Sequence, residues 1–367
     1  MSLRIAFEHK LRFVHMNLAF EVPSRDFTIL FGPAGAGTSF MLAAIAGLQP
    51  AKLIEVDLDG DMLHALPTHR RRIPLVSSEG ELFRHLSVAG NLAFAMQRVR
   101  REKLPPNRRN PRADIRYPQV EELTEILGLQ SLLKRRVHEL SASERQRVAI
   151  ARALLTEPLL ILLDDPLAKL DVAEQKEMFA YLHRLRTATR LPVLYATNNL
   201  NEAQRLSQTV VLMERGQVLG AGPLRDMACR VDLPLSWRYD AAAILTGAVH
   251  SHAPSRGLSA ITCGGKLIDV PLCDLEEDAP VRLRVPAREV ILSLDAPETI
   301  GANNVLVGMV SAMREDPQTH TRLVEVEITG GQMLARMSSE AGRRLRLEPG
   351  VQVLVIFKSV SVELLPA

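Results

Sequence analysis

Leu3-Arg4-Ile5-Ala6-Phe7 alternates apolar and polar positions, and so does Leu18-Ala19-Phe20-Glu21-Val22. A period of two predicts half-buried strands. Phe27-Thr28-Ile29-Leu30-Phe31 is instead a continuous apolar run, which predicts a buried strand. A glycine-rich stretch from Gly32 to Gly37 stops it, and a helical run over 39–48 follows, closed by Gly47 and Pro50. Strand, glycine loop and helix in this order predict an α/β domain with a parallel sheet. Further strands are expected at 159–163, ahead of Asp164-Asp165-Pro166, at 192–197 and at 209–213. Helical patterns cover 144–155 and 172–187. Residues 98–116 are basic and proline-broken, so they read as a loop that is either solvated or in contact with an anionic partner.

Beyond about residue 235 the helical period fades. Short β-type runs take over at 281–285, 290–293, 323–328 and 351–357, separated by turn signals such as Gly330-Gly331 and Pro349-Gly350. One or two small β-barrels are expected there.

A chain of 367 residues, 47% hydrophobic and 24% charged, is too long for one core and too apolar for wholesale disorder. A net charge of +3, with four Tyr and one Trp, gives no reason to expect nucleic acid as a partner. No apolar run is long enough to span a bilayer, and the first ten residues lack the layout of a signal peptide. Cys229, Cys263 and Cys273 are too far apart for a metal cluster and read as reduced thiols of a cytoplasmic protein.

Gly32-Pro33-Ala34-Gly35-Ala36-Gly37-Thr38-Ser39 nearly fits the phosphate-cradling pattern G-x-x-x-x-G-K-[ST]. Glycines let backbone N–H groups approach phosphate oxygens, and the following helix adds its N-terminal dipole. Thr38 stands where the pattern has lysine. Taken alone, the stretch also suits a plain strand-to-helix turn.

It is followed, in order, by Leu140-Ser141-Ala142-Ser143-Glu144-Arg145-Gln146-Arg147, by Leu160-Ile161-Leu162-Leu163-Asp164-Asp165-Pro166 and by Leu170-Asp171. This succession resembles the signature helix, Walker B strand and D-loop of ATP-binding-cassette (ABC) transporter subunits, over about residues 1–230. The stretch 81–92 is similar to the segment after the Q-loop in molybdate-importer ATP-binding subunits. Residues 300–308 and 357–360 are similar to the strands of that family's TOBE/Mop barrel.

The resemblance implies a P-loop nucleotide-binding domain at 1–235, with a helical subdomain at about 80–155. It further implies a linker and the start of a β accessory domain at 236–296, then a TOBE/Mop OB-like barrel at 297–367. It implies ATP and Mg²⁺ as ligands, transmembrane permease subunits as partners, and a homodimer or asymmetric dimer at the inner face of the membrane. Gly32, Pro33, Ala34, Gly35, Ala36, Gly37, Thr38 and Ser39, with Ser141, Ala142 and Ser143, would hold nucleotide. Ser39 and Asp164 would hold the metal. Phe13 is a candidate for stacking on adenine, with a strand role as the alternative.

The same carry-over finds departures at reacting positions. Thr38 replaces lysine, Ser78 the Q-loop glutamine, and Ala142 and Ser143 the paired signature glycines. Asp165 replaces the glutamate that polarises water, Asn198 the switch histidine, and Lys169 a D-loop serine. Loss of a cation that offsets phosphate charge removes a large catalytic contribution. The expectation is therefore weakened nucleotide binding and hydrolysis that is lost or strongly impaired. The alternatives are a working ATPase that drives oxyanion import through Asp165 and Asn198, or an oxyanion-binding regulator acting through Asn303, Asn304, Lys358 and Ser359.

Overall fold

The structure, a computed structural model, describes residues 1–11, 14–101, 116–296 and 299–366. Phe13 and most of the basic segment 98–116 lie outside the described residues. The chain divides into two units, Met1–Gly222 and Pro223–Ala367.

In the first unit the strands are β1 (Ser2–Lys10), β2 (His15–Pro23), β3 (Phe27–Phe31), β4 (Leu53–Leu58), β5 (Asp61–Met62), β6 (Leu75–Ser77), β7 (Ile161–Asp164), β8 (Val193–Thr197), β9 (Thr209–Glu214) and β10 (Gln217–Pro223). The alternating N-terminal runs form an antiparallel sheet in the order β2-β1-β4-β5. Leu3, Ile5 and Phe7 of β1 are buried, as are Met16, Leu18, Phe20 and Val22 of β2. The continuous apolar runs form the second sheet, in the order β10-β9-β3-β8-β7-β6. Strands β9, β3, β8, β7 and β6 run parallel. All five residues of β3 and all five of β8 are buried, which is why neither shows a period of two.

Parallel strands bring all their carboxyl ends to one edge. The loop after β3, the Asp164-Asp165 pair after β7, the Ser77-Ser78 turn after β6 and Asn198 after β8 therefore share that edge. Between β6 and β7 the chain forms the helices Val88–Arg101, Val120–Ile126 and Ala142–Leu154. Helix Val172–Thr189 starts at a reciprocal capping box between Asp171 and Glu174.

The second unit begins at Pro223 rather than at residue 235. Helix Leu224–Cys229 contributes Cys229 to this unit's core, and Val231 follows it there. Ten more strands follow: β11 (Ala242–Ala253), β12 (Leu258–Cys263), β13 (Lys266–Pro271), β14 (Pro280–Pro286), β15 (Ile291–Ser293), β16 (Asn304–Asp316), β17 (Thr321–Ile328), β18 (Gly331–Ser338), β19 (Gln352–Phe357) and β20 (Glu363–Pro366). They form two five-stranded antiparallel sheets, β13-β12-β11-β14-β20 and β15-β19-β16-β17-β18, around one shared core. The stretch 236–296, expected as a linker and the start of a β accessory domain, is mostly strand. Its β14 pairs with β20 at the end of the chain, so residues 236–296 and the C-terminal segment are built together.

Candidate functional site

The loop Gly32–Ser39 leaves the buried end of β3 and enters helix Thr38–Ile45, one residue earlier than its pattern indicated. Two of its glycines, Gly35 and Gly37, have φ of 85° and 95°, a region that L-residues with a Cβ rarely adopt. At Gly32 the constraint is space: a Cβ there would come within 2.7 Å of the Met213 carbonyl oxygen. Pro33, Ala34 and Gly35 are exposed, whereas Ala36 is buried beneath them. The tip of the loop is open to solvent, where an anion could reach it.

Ser39 and Asp164 lie 125 residues apart in sequence and meet in the fold. Ser39 Oγ donates to Asp164 Oδ1 at 2.9 Å. Burial pushes the Asp164 carboxyl above the usual carboxylate range, and the bond from Ser39 offsets part of that shift. A hydroxyl and a half-buried carboxylate beside a glycine loop are hard oxygen donors, and they fit Mg²⁺. No ammonium group accompanies them from position 38, where Thr38 is half-buried.

Asp165 takes φ of 45°, a left-handed conformation for a non-glycine residue at the strand end. Its backbone N–H donates to the Ala196 carbonyl at 3.0 Å. Burial and then the neighbouring Asp164 charge raise its carboxyl, while the nearby Thr197 hydroxyl and Asn198 backbone N–H partly oppose that. Asn198 is itself exposed. The structure thus brings together the loop, Ser39, Asp164, Asp165 and Asn198.

The other expected residues stand at neighbouring positions. Ser78 is half-buried directly after β6, where Gln146 Nε2 donates to the Ser77 carbonyl at 3.2 Å. Ser141 caps helix Ala142–Leu154, accepting from the Glu144 N–H at 3.1 Å while the Glu144 carboxylate accepts from the Ser141 N–H. Ala142 is half-buried, and the Ser143 hydroxyl is buried without a hydrogen-bond partner. Lys169 pairs with Glu79, which ties the segment after β7 to the turn after β6.

In the second unit Asn304 is engaged by the backbone of Asp269. Its amide accepts from the Asp269 N–H at 2.7 Å and donates to the Asp269 carbonyl at 2.9 Å. Asn303 Oδ1 accepts from Ser359 Oγ at 3.2 Å.

Sequence reading missed a buried group behind Asp165. Glu202, on helix Leu200–Leu206, is 3% exposed. Its Oε2 lies 2.7 Å from the Tyr195 hydroxyl and 3.0 Å from Thr197 Oγ1. Burial raises its carboxyl, and the Tyr195 and Thr197 contacts partly oppose that. The only sequence signal is an acid placed on the buried face of a short helix, which is readable only once that face is known.

Residues 15–168 match the ABC transporter family, and residues 302–364 match the TOBE domain. The chain is 37% identical over 370 residues to the molybdenum import ATP-binding protein ModC of Granulibacter bethesdensis, covering 99% of this chain and 98% of that protein. It is 35% identical to ModC of Pseudomonas aeruginosa over 98% of this chain and 99% of that one. Against the Rhodobacter capsulatus ModC the identity is 36%, covering 95% and 94% of the two chains. Two relatives above a third identity over nearly full length, together with the Ser39–Asp164 geometry, establish that the chain belongs to the ABC transporter ATP-binding proteins with a C-terminal TOBE domain.

Proposed function

We propose that the chain is the ATP-binding subunit of an importer for molybdate or a related oxyanion, docked on transmembrane permease subunits at the inner face of the membrane. The observation that carries nucleotide binding is the contact between Ser39 Oγ and Asp164 Oδ1 at the end of a glycine loop with Gly35 and Gly37 in left-handed conformations. Bound Mg²⁺ would supply positive charge to the phosphates at these two oxygens. The substrate class is carried by the near-full-length likeness to molybdenum import proteins.

The chain hydrolyses ATP slowly. Asp165 is anchored by its backbone N–H on the Ala196 carbonyl, next to Asp164, so a carboxylate able to orient water is in place. Against it stands Thr38, a neutral hydroxyl that offers no charge to the outer phosphate. Ser78 and the side chains at Ala142 and Ser143 weaken the site further. No helix among the described residues is long and apolar enough to cross a membrane. A cavity of about 340 Å³ lined by Leu82, Phe83, Phe94, Ala95 and Arg152 is a seat for a permease subunit. Its rim carries Phe94, 51% exposed and packed on Phe83 with the ring centroids 4.7 Å apart.

The test is Mg²⁺-dependent binding of a fluorescent ATP analogue by the full chain, followed by phosphate release from ATP. Binding with slow release that Asp165→Asn abolishes is the expected result. No binding overturns the reading. Binding with no release in the parent leaves only the stronger form, in which hydrolysis is lost.

A further inference from the structure

Different strands flank the glycine loop on its two sides. In the sheet order β10-β9-β3-β8-β7-β6, Asp164 at the end of β7 lies beyond β8, and β9 borders β3 on the other side. The segment 213–216, where β9 turns into β10, touches the loop twice. Met213 carries the carbonyl that crowds Gly32, and the Gly216 N–H donates to the Ala36 carbonyl at 3.2 Å.

Arg215 stands between these two anchors. It is exposed, and among the described residues no hydrogen bond, ion pair or ring contact engages its guanidinium. Glu214, its neighbour in sequence, is half-buried at the end of β9 and makes no ion pair with it. On the Asp164 side, by contrast, Lys169 has its charge committed to Glu79.

Turn chemistry alone does not call for an arginine here. Arg215 and Gly216 have φ of 46° and 78°, the two left-handed residues of a tight hairpin turn, which Asn-Gly, Asp-Gly or Gly-Gly fill with less strain. Arginine brings instead a long side chain, a permanent charge and a donor fork that matches phosphate oxygens.

We infer that Arg215 is a phosphate-binding residue of this site: its guanidinium holds the nucleotide's phosphate oxygens from the β9 side and supplies charge that Thr38 does not. The inference rests on the nucleotide-binding reading above.

The test is the affinity of the full chain for a fluorescent ATP analogue with Mg²⁺, measured for the parent, Arg215→Asn, Arg215→Lys and Arg346→Asn. Arg346 is also exposed and left-handed, with φ of 48°, but belongs to the second unit. Asparagine suits the turn, so Arg215→Asn should unfold on heating at the parent's temperature or above it. Its affinity for the ATP analogue should still fall about 10-fold, the scale of one hydrogen bond to a charged group. Its affinity for the matching AMP analogue should fall less. Arg215→Lys should recover part of the loss, added salt should narrow the gap between parent and Arg215→Asn, and Arg346→Asn should bind as the parent does. Parent-like affinity in Arg215→Asn overturns the proposal and leaves nucleotide binding itself standing. So does an equal loss in Arg215→Lys or in Arg346→Asn, since charge at this one place would not be the cause. A parent that binds no analogue overturns the nucleotide-binding reading, and this proposal with it.

Discussion

At position 38 one side chain separates a complete phosphate loop from this one. The loop backbone is already shaped by Gly35 and Gly37 in left-handed conformations, and Ser39 is already bonded to Asp164. Thr38→Lys should therefore raise phosphate release about 10-fold or more, because a preorganised cation near developing charge contributes far more than it would in water. Unchanged release would show that other departures, Ser78 or Ala142 and Ser143, limit the rate. A second residue-scale outcome follows from Glu202. Its carboxyl is raised in the folded chain, so the folded state holds a proton that the unfolded state releases. Its stability contribution is full below the ordinary glutamate value and is lost as pH rises toward the folded one. Glu202→Gln removes that loss, so its stability should fall less than the parent's as pH rises from about 4.5. Urea unfolding across that window measures the difference.

Among the elements, the strand ends decide the chemistry. Pairing of β3 with β8 sets Phe31 beside Thr197, and pairing of β7 with β8 sets Asp164 beside Ala196, so the loop and the acidic pair leave the sheet at the same edge. The apolar runs of β3, β7 and β8 were legible because strands buried on both faces read as unbroken hydrophobic stretches. Asp165 and Asn198 were singled out from resemblance to a family pattern. Tyr195 and Thr197 passed as ordinary strand residues, and nothing in the sequence marked Glu202. In the second unit, Asn304 of β16 pairs with both backbone groups of Asp269 on β13 and so joins the two sheets. Asn304→Ala leaves that N–H and carbonyl unpaired in a buried setting and should lower unfolding free energy by about 2 kcal/mol. Lost stability near zero in a denaturation series would mean that water replaces the amide.

On the scale of the whole molecule the chain is two units, and each core is drawn from its own segment. The second unit's core runs from Cys229 to Val362 and takes residues from both of its sheets. A fragment of residues 223–367 should therefore fold alone and unfold in one cooperative transition, while a fragment that ends before β20 should not, since β14 would lose its partner. Circular dichroism during heating distinguishes the two fragments.

Length, hydrophobic period and the glycine loop were enough to set out an α/β domain followed by a β-rich tail, because burial on one face or two leaves its period in the chain itself. Motif order was enough to single out Ser39, Asp164 and Asp165. The boundary at Gly222/Pro223, the strands between 242 and 271, the backbone contacts of Asn304 and the burial of Glu202 were decided by the tertiary fold. Each depends on which groups distant in sequence share a hydrogen bond or a core, and no local pattern encodes those partnerships.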